Sequence, residues 1–301
     1  MDNSLVSDIL SSVLSPEDIF PNEPMSRHTT FRTGGNAAFL VTPHSQNEVS
    51  KLLRSLKDVR HMVVGNGSNL LFCDEGYDGV VIKLGNNFSG IWVEGNEITA
   101  QSGALLSKIA SVALQNGLGG FEFASGIPGS LGGAVAMNAG AYGGEMKDVV
   151  VSSVCADDDG NIFEITDHKF SYRHTIFTDK NLVVLSSKIK LTPKNTELIR
   201  SEMTELNLRR REKQPLEYPS AGSTFKRPEG YFAGKLIEDS GLKGCRIGGA
   251  MVSEKHAGFL INYDHATAKD ILNLIDYVKE KVHTKFGVTL EPEVRIIGKE
   301  K

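Results

Sequence analysis

Two glycine-rich stretches and three polar side chains are the parts of this sequence whose types and spacing could do chemistry. Gly65-Asn66-Gly67-Ser68-Asn69-Leu70 follows a short apolar run, Met62-Val63-Val64. Glycines let a backbone turn sharply and approach a ligand, and successive amide N–H groups then converge on phosphate oxygens. Ser68 and both asparagines add side-chain hydrogen-bonding groups. A tight turn between strands would look the same at this stretch alone. Residues 125–144 hold seven glycines and four alanines with almost no charge, which is harder to read as simple packing. The dinucleotide pattern Gly-x-Gly-x-x-Gly fails because Leu70 stands at its third glycine, and a Walker loop fails because Gly234-Lys235 is followed by Leu236. What remains is a nucleotide site of neither common type.

Arg173, in Phe170-Ser171-Tyr172-Arg173-His174, is a polar interruption before a strand-like run. An arginine stays charged and grips a carboxylate through two parallel hydrogen bonds, although a surface ion pair uses the same residue type. Ser223 lies in Ala221-Gly222-Ser223-Thr224, where small neighbours leave room for a ligand; a loop or helix-capping serine is the plainer alternative. A nucleophile elbow does not fit, because Gly-x-Ser-x-Gly is missing. Strand alternation over residues 288–297 would put Glu291, Glu293 and Arg295 on one face and Val294 and Ile296 on the other, as a solvated strand face would also do. A basic cluster, Arg209, Arg210, Arg211, Lys213, Lys226, Arg227 and Lys235, is opposed only by Glu212, Glu217 and Glu229. Lys226 and Arg227, just past Ser223, are the members best placed to meet a diphosphate.

The elements that must position these groups alternate between helix and strand. Residues 5–14 have helical apolar spacing, and residues 45–56 follow a Ser45/Glu48 capping-box pattern. Strands are expected at 62–64, 80–84 and 97–101, a helix at 105–115, and a hairpin from 149–155 and 161–166 around Asp159-Gly160. A strand at 182–191 precedes a break at Pro193 and a charged helix at 197–211. A short helix at 233–239, strands at 248–252 and 259–262, a long helix at 267–286 and a last strand at 288–297 complete the chain. This is an α+β pattern with two domains, divided near Pro193. The first, 1–193, comprises subdomains of about 1–85 and 86–193.

Taken together and in order, Arg32-Thr33-Gly34-Gly35, the two glycine-rich stretches, Tyr172-Arg173, Ala221-Gly222-Ser223-Thr224-Phe225-Lys226, His256-Ala257-Gly258-Phe259 and Glu291-Pro292-Glu293-Val294-Arg295 resemble the bacterial flavoenzyme family of UDP-N-acetylenolpyruvoylglucosamine reductases. The collinear match runs from about residue 25 to the C-terminus. It implies an FAD-binding domain of the vanillyl-alcohol-oxidase type over 1–193. An α+β substrate-binding domain over 194–301 follows, its last strand carrying Glu293 back to the active site. It implies FAD, held non-covalently, and NADPH as reductant of an enolpyruvyl ether on a UDP-sugar, a step of cell-wall peptidoglycan synthesis.

By the same resemblance, Arg173, Ser223 and Glu293 are catalytic: Ser223 as proton donor, Arg173 and Glu293 as stabilisers of the intermediate. Gly65, Asn66, Gly67, Ser68, Asn69, Leu70, Gly126, Ile127, Pro128, Gly129, Ser130, Gly132, Gly133, Ala134, Asn138, Gly140 and Ala141 fall in its cofactor motifs, and Tyr172, Lys226 and Arg227 on substrate positions. Better-known members carry asparagine where Arg227 stands. The short link from Arg173 to the strand at 182–191 lacks a tyrosine-bearing insertion found in one branch, and so implies the other branch. An FAD-dependent oxidase sharing only the cofactor domain, or a non-catalytic nucleotide-binding module, would share the glycine loops.

Bulk composition bounds the partners. A net charge of −4 over 301 residues offers no general field for nucleic acid or an anionic membrane, so any anion site is local. Three scattered cysteines, Cys73, Cys155 and Cys245, suggest reduced thiols rather than a disulfide framework or zinc site, and the eight histidines show no metal-ligand spacing. With no signal-peptide pattern and no apolar run of about 18–20 residues, a cytoplasmic protein with no obligate protein partner is expected.

Overall fold

The computed structural model describes residues 3–298, which fall into two compact units. Residues 3–21, Phe39–Asn66 and Gly79–Arg209 form the first; Asn22–Ala38, Gly67–Asp78 and residues 210–298 form the second. The break seen in sequence at Pro193 is a single point. The units instead exchange segments, and their C-terminal division falls inside the helix Thr196–Lys213, at Arg209 and Arg210.

In the first unit a five-stranded antiparallel sheet has the order Ile162–Ile165, Val150–Ala156, Val183–Lys190, Glu97–Gln101, Ile91–Glu94. The expected hairpin is its edge. Helix Leu106–Gln115 and the short helix Leu131–Ala136 share its core through Ile98, Ile109, Leu131, Val135 and Ile189, all fully buried. The strand His61–Val64 pairs in parallel with Tyr77–Lys83. Helix Gln46–Ser55 starts where the sequence places it: Ser45 Oγ accepts the Glu48 amide and the Glu48 side chain accepts the Ser45 amide. Its Ser50 hydroxyl and Arg54 guanidinium donate to carbonyls of the 159–160 turn of the hairpin.

In the second unit, strands Arg246–Ile247, Ala250–Val252 and Leu260–Asn262 form an antiparallel sheet that packs on helix Ala268–Phe286. Ile271, Leu274, Ile275, Val278 and Val282 line the buried face of that helix at spacings of one, three and four residues. Thr267 and Asp270 close a capping box at its start. Gly287, at φ 68°, ends it in the left-handed conformation that favours glycine. Asp74 adds a second N-terminal cap, its carboxylate accepting the Ala268 and Lys269 amides at 2.8 Å each, which ties segment 67–78 to this helix. Leu70–Phe72 pairs in parallel with Arg295–Ile297.

The expected last strand is therefore shorter than its sequence signal. Only Arg295–Ile297 is strand. Pro292 has no amide to donate, and residues 291–293 pair outside that strand: the Glu293 amide donates to the Thr224 carbonyl and the Lys226 amide to the Glu291 carbonyl, an isolated antiparallel bridge between Phe225 and Pro292. Exposure still alternates there: Glu291 and Arg295 are exposed and Glu293 is half-buried, while Val294 is buried.

Candidate functional site

In the first unit the second glycine-rich region is wound tightly onto the turn at 102–106. The Leu131 amide donates to the Ala104 carbonyl and the Gly132 amide to the Ser102 carbonyl, each at 2.9 Å. Leu106 donates to the Gly129 carbonyl. A Cβ on Gly132 would strike the Ser102 side chain at 2.7 Å, so only glycine admits this approach, whereas Gly133 faces open space. Gly65 is flush against Ser130, leaving no room for a Cβ. The Ser130 hydroxyl is buried beside it with no hydrogen-bond partner among the described residues. Asn66 spans the same gap, its amide donating to the Pro128 carbonyl at 2.6 Å. Gly126 and Ile127 are half-buried and Pro128 exposed.

A buried hydroxyl that lacks a partner, walled by glycines, fits an oxygen-rich ligand such as a diphosphate, since leaving it unmet costs about 1–3 kcal/mol. Ala134 is buried in the short helix, and Gly140 and Ala141 pair with Gly144 and Glu145 through a turn at Tyr142 and Gly143, both at positive φ.

The first glycine loop divides at Asn66 and Gly67. From Gly67 onward it belongs to the second unit. Gly67, at φ 65°, lies against the His28 carbonyl and accepts the Thr30 amide. Ser68 is half-buried. Asn69 is committed to the C-terminal segment: its side chain donates to the Glu293 carbonyl at 3.1 Å and its carbonyl accepts the Arg295 amide at 3.0 Å. Leu70 begins a strand.

Ser223 and Glu293 come together in this unit through the residue between them in space, Thr224. Thr224 is 1% exposed. Its carbonyl accepts the Glu293 amide at 2.8 Å, its amide donates to the Gly258 carbonyl at 2.9 Å, and its hydroxyl accepts the Leu260 amide at 3.2 Å. Ser223 itself is exposed, and Gly222 before it turns at φ 76°. Lys226 donates its amide to the Glu291 carbonyl, and its ammonium pairs with the Glu291 carboxylate at 3.2 Å. Glu291 is thereby distinguished from Glu293: the first is an exposed surface partner, the second half-buried beside the Ser223 loop. The Arg227 guanidinium lies 4.0 Å over the Phe232 ring. His256 serves the same turn, its Nδ1 accepting the Gly258 amide, and burial lowers its pKa.

Arg173 belongs to the first unit, at the tip of a tight reversal in which Ser171 and His174 exchange backbone hydrogen bonds. It has φ 53°, a left-handed conformation uncommon for a non-glycine residue, and its guanidinium lies 5.3 Å over the exposed Tyr172 ring. Asn138 is buried beside this loop. Of the basic cluster, Arg209 pairs with Glu205 and Lys235 with Asp239 along exposed helix faces, the solvated arrangement that competes with ligand binding. The sequence alone does not single out Thr224, Thr175 and His168: the Thr224 carbonyl accepts the Glu293 amide, Thr175 Oγ1 donates to the Ala136 carbonyl, and His168 Nε2 meets Ser153 Oγ. Asn138 carried a signal of its own, since asparagine tolerates positive φ better than most residues.

Comparison with known proteins places both halves of the chain. Residues 37–166 match the model of an FAD binding domain, and residues 214–297 that of the UDP-N-acetylenolpyruvoylglucosamine reductase C-terminal domain. The UDP-N-acetylenolpyruvoylglucosamine reductase of Caldanaerobacter subterraneus subsp. tengcongensis is 53% identical over 98% of each chain. That of Clostridioides difficile is 50% identical over the full length of both. The crystal structure of the Thermus caldophilus reductase superposes with a TM-score of 0.81 at 34% identity, covering 93% of this chain and 98% of that one. Phl p 4, a grass pollen allergen with glucose dehydrogenase activity, is 15% identical with a TM-score of 0.50 over 63% of this chain and 44% of its own, a likeness of fold alone. The matches bear out the expected class, an FAD-binding domain of the vanillyl-alcohol-oxidase type followed by an α+β domain.

Proposed function

The chain belongs to the UDP-N-acetylenolpyruvoylglucosamine reductase family, and on that premise we propose that it reduces the enolpyruvyl ether of UDP-N-acetylglucosamine enolpyruvate to UDP-N-acetylmuramate, a cytoplasmic step in peptidoglycan precursor synthesis. FAD, when bound, supplies the hydride carrier between NADPH and the substrate. Gly65, Asn66, Gly126, Ile127, Pro128, Gly129, Ser130, Gly132 and Gly133 would hold it. The unmet Ser130 hydroxyl and the glycine surfaces around it suit its diphosphate.

When a hydride adds to one alkene carbon, negative charge develops across the neighbouring carbon and the carboxylate. The Arg173 guanidinium grips that carboxylate and stabilises the charge as it builds. Ser223, exposed and fixed by the backbone of Thr224, delivers a proton to the carbanion carbon. Glu293 helps polarise the intermediate. Lys226 and Arg227 meet the UDP diphosphate, and Tyr172 is a further substrate-binding residue. The division into a FAD-binding part over 1–193 and a substrate-binding part over 194–301 belongs to the same reading.

One observation carries most weight: the 2.8 Å hydrogen bond from the Glu293 amide to the Thr224 carbonyl joins two segments 69 residues apart in sequence and sets Glu293 beside the Ser223 loop. The test is an absorbance spectrum of the purified protein, followed by NADPH consumption with and without the enolpyruvyl substrate. A flavin band and substrate-dependent consumption are expected. No flavin band after reconstitution with FAD would sink the reading. Rapid oxygen turnover without the substrate would favour an oxidase.

A further inference from the structure

Asn138 follows the helix Leu131–Ala136 at φ 47° and is 1% exposed. Its position in the glycine-rich region suggests a cofactor ligand, but its amide is already engaged. An asparagine side chain carries two N–H hydrogens. Here Nδ2 donates to the Ser171 carbonyl and to the Glu145 carboxylate, each at 3.0 Å, and Oδ1 accepts the Lys147 amide at 3.0 Å. Turning the amide over would set its oxygen against a carbonyl and a carboxylate and its N–H groups against an N–H, so the network fixes this orientation. No donor hydrogen is left for a phosphate oxygen.

What these bonds hold is the arginine loop. Ser171 is one end of the Ser171–His174 reversal that has Tyr172 and Arg173 at its tip. The Asn138 carbonyl accepts Arg173 Nη1 at 3.4 Å. Glu145 is held by Lys147 at 2.7 Å as well as by Asn138. The Lys147 bond leads the causes that keep its carboxyl below the usual range, and the charge of Arg173 contributes. One buried amide therefore fixes the loop backbone, and with it a carboxylate whose charge reaches the arginine. A left-handed Arg173 persists only where surrounding contacts over-determine it.

We propose that Asn138 is a positioning residue for Arg173, acting on the substrate half of the reaction through the Ser171 carbonyl and Glu145, and that its side chain is not a ligand of the flavin. The proposal rests on the reading of Arg173 as the group that engages the substrate carboxylate. Asn138→Asp keeps the shape and the tolerance of positive φ while removing both donors. In the holoenzyme it should slow the oxidation of reduced flavin by substrate by about 10- to 100-fold, the scale expected of a small misplacement of a reacting group. FAD content, FAD dissociation and flavin reduction by NADPH should be unchanged. In an Arg173→Ala background the same substitution should add less than about twofold, because a residue acting through Arg173 has nothing left to position.

Loosened FAD, or equal slowing of both half-reactions, would overturn the proposal. So would a full multiplicative loss in the double variant, which places the effect elsewhere while leaving the reading of Arg173 standing. Arg173→Ala with no effect on the substrate half would overturn that reading and the positioning role together. Should Asn138→Asp fail to fold, Asn138→Ser carries the same comparison with a shorter donor.

Discussion

The loop that presents Arg173 and the turn that presents Ser223 are held by different chemistry. Residues 168–177 close on themselves through backbone bonds but are tied to the rest of the first unit by side chains. Asn138 bonds the Ser171 carbonyl, Thr175 Oγ1 donates to the Ala136 carbonyl at 2.7 Å, and His168, stacked on Phe170 at 4.7 Å, meets Ser153 Oγ at 2.9 Å. The Ser223 turn depends chiefly on backbone. Thr224 passes one main-chain bond to Gly258 and receives one from Glu293, while Lys226 donates to the Glu291 carbonyl. Backbone groups survive substitution and side-chain anchors do not. The Arg173 loop should therefore be sensitive at many positions and the Ser223 turn at few.

The largest effect isolates chemistry from scaffold. Ser223→Ala removes an exposed hydroxyl while every main-chain bond of Thr224 remains. The substrate half-reaction should slow by about 100- to 10,000-fold, flavin reduction by NADPH should be nearly intact, and thermal stability should move by less than about 0.5 kcal/mol. Stopped-flow measurement of both half-reactions without oxygen decides it. Equal slowing in both would remove Ser223 as proton donor.

A matched pair then tests the comparison directly. Thr175→Val strips the fully buried anchor of the arginine loop, leaving the Ala136 carbonyl and the Phe177 amide unmet. Thr224→Val strips the hydroxyl that accepts the Leu260 amide but spares the backbone bonds. Each should cost about 1–3 kcal/mol in chemical denaturation. At similar stability loss, Thr175→Val should slow the substrate half-reaction by about tenfold or more, and Thr224→Val by less than about threefold. Equal slowing would mean that the mode of anchoring does not matter.

Why one anchor was legible and the other was not follows from the same contrast. Local signals located most elements. The Ser45/Glu48 box, the Thr267 start and Ala233–Asp239 stand where spacing and capping place them. Arg173, Ser223 and Glu293 were visible as residue types. The Thr224 carbonyl was not, because every residue has one and only the fold says which is used. Asn138 was visible as a residue type but its partners were not, since an amide that could donate to phosphate can equally donate to a carbonyl. The alternation read over 288–297 gives the faces but not the partners: regular strand is confined to Arg295–Ile297, and the Glu293 amide meets the Thr224 carbonyl in an isolated bridge that spacing alone does not locate.

The smallest effect is a proton-linked one at His168. The imidazole is 3% exposed, and burial lowers its pKa from the ordinary value near 6.5, against a weaker opposing effect of its bond to the Thr166 carbonyl. On acidification the unfolded chain therefore takes up its proton first. The stability linked to this group is fully present above about pH 6.5 and is lost as the pH falls through the lower, folded-state value. His256, also depressed by burial, contributes with the same sign. His44 contributes with the opposite sign, because its hydrogen bond to Asp18 raises its pKa and adds stability at low pH. The whole-protein curve mixes these, so the informative quantity is a difference. His168→Gln should lower Tm at pH 8 and flatten the fall in Tm between about pH 7 and 5, whereas His256→Gln should flatten it without slowing the substrate half-reaction at pH 8. Only His168 sits under the arginine loop, bonded through Ser153 to Ser187 in the sheet. An unchanged slope in His168→Gln would show that the imidazole is not a side-chain anchor of that loop, and would remove one leg of the comparison.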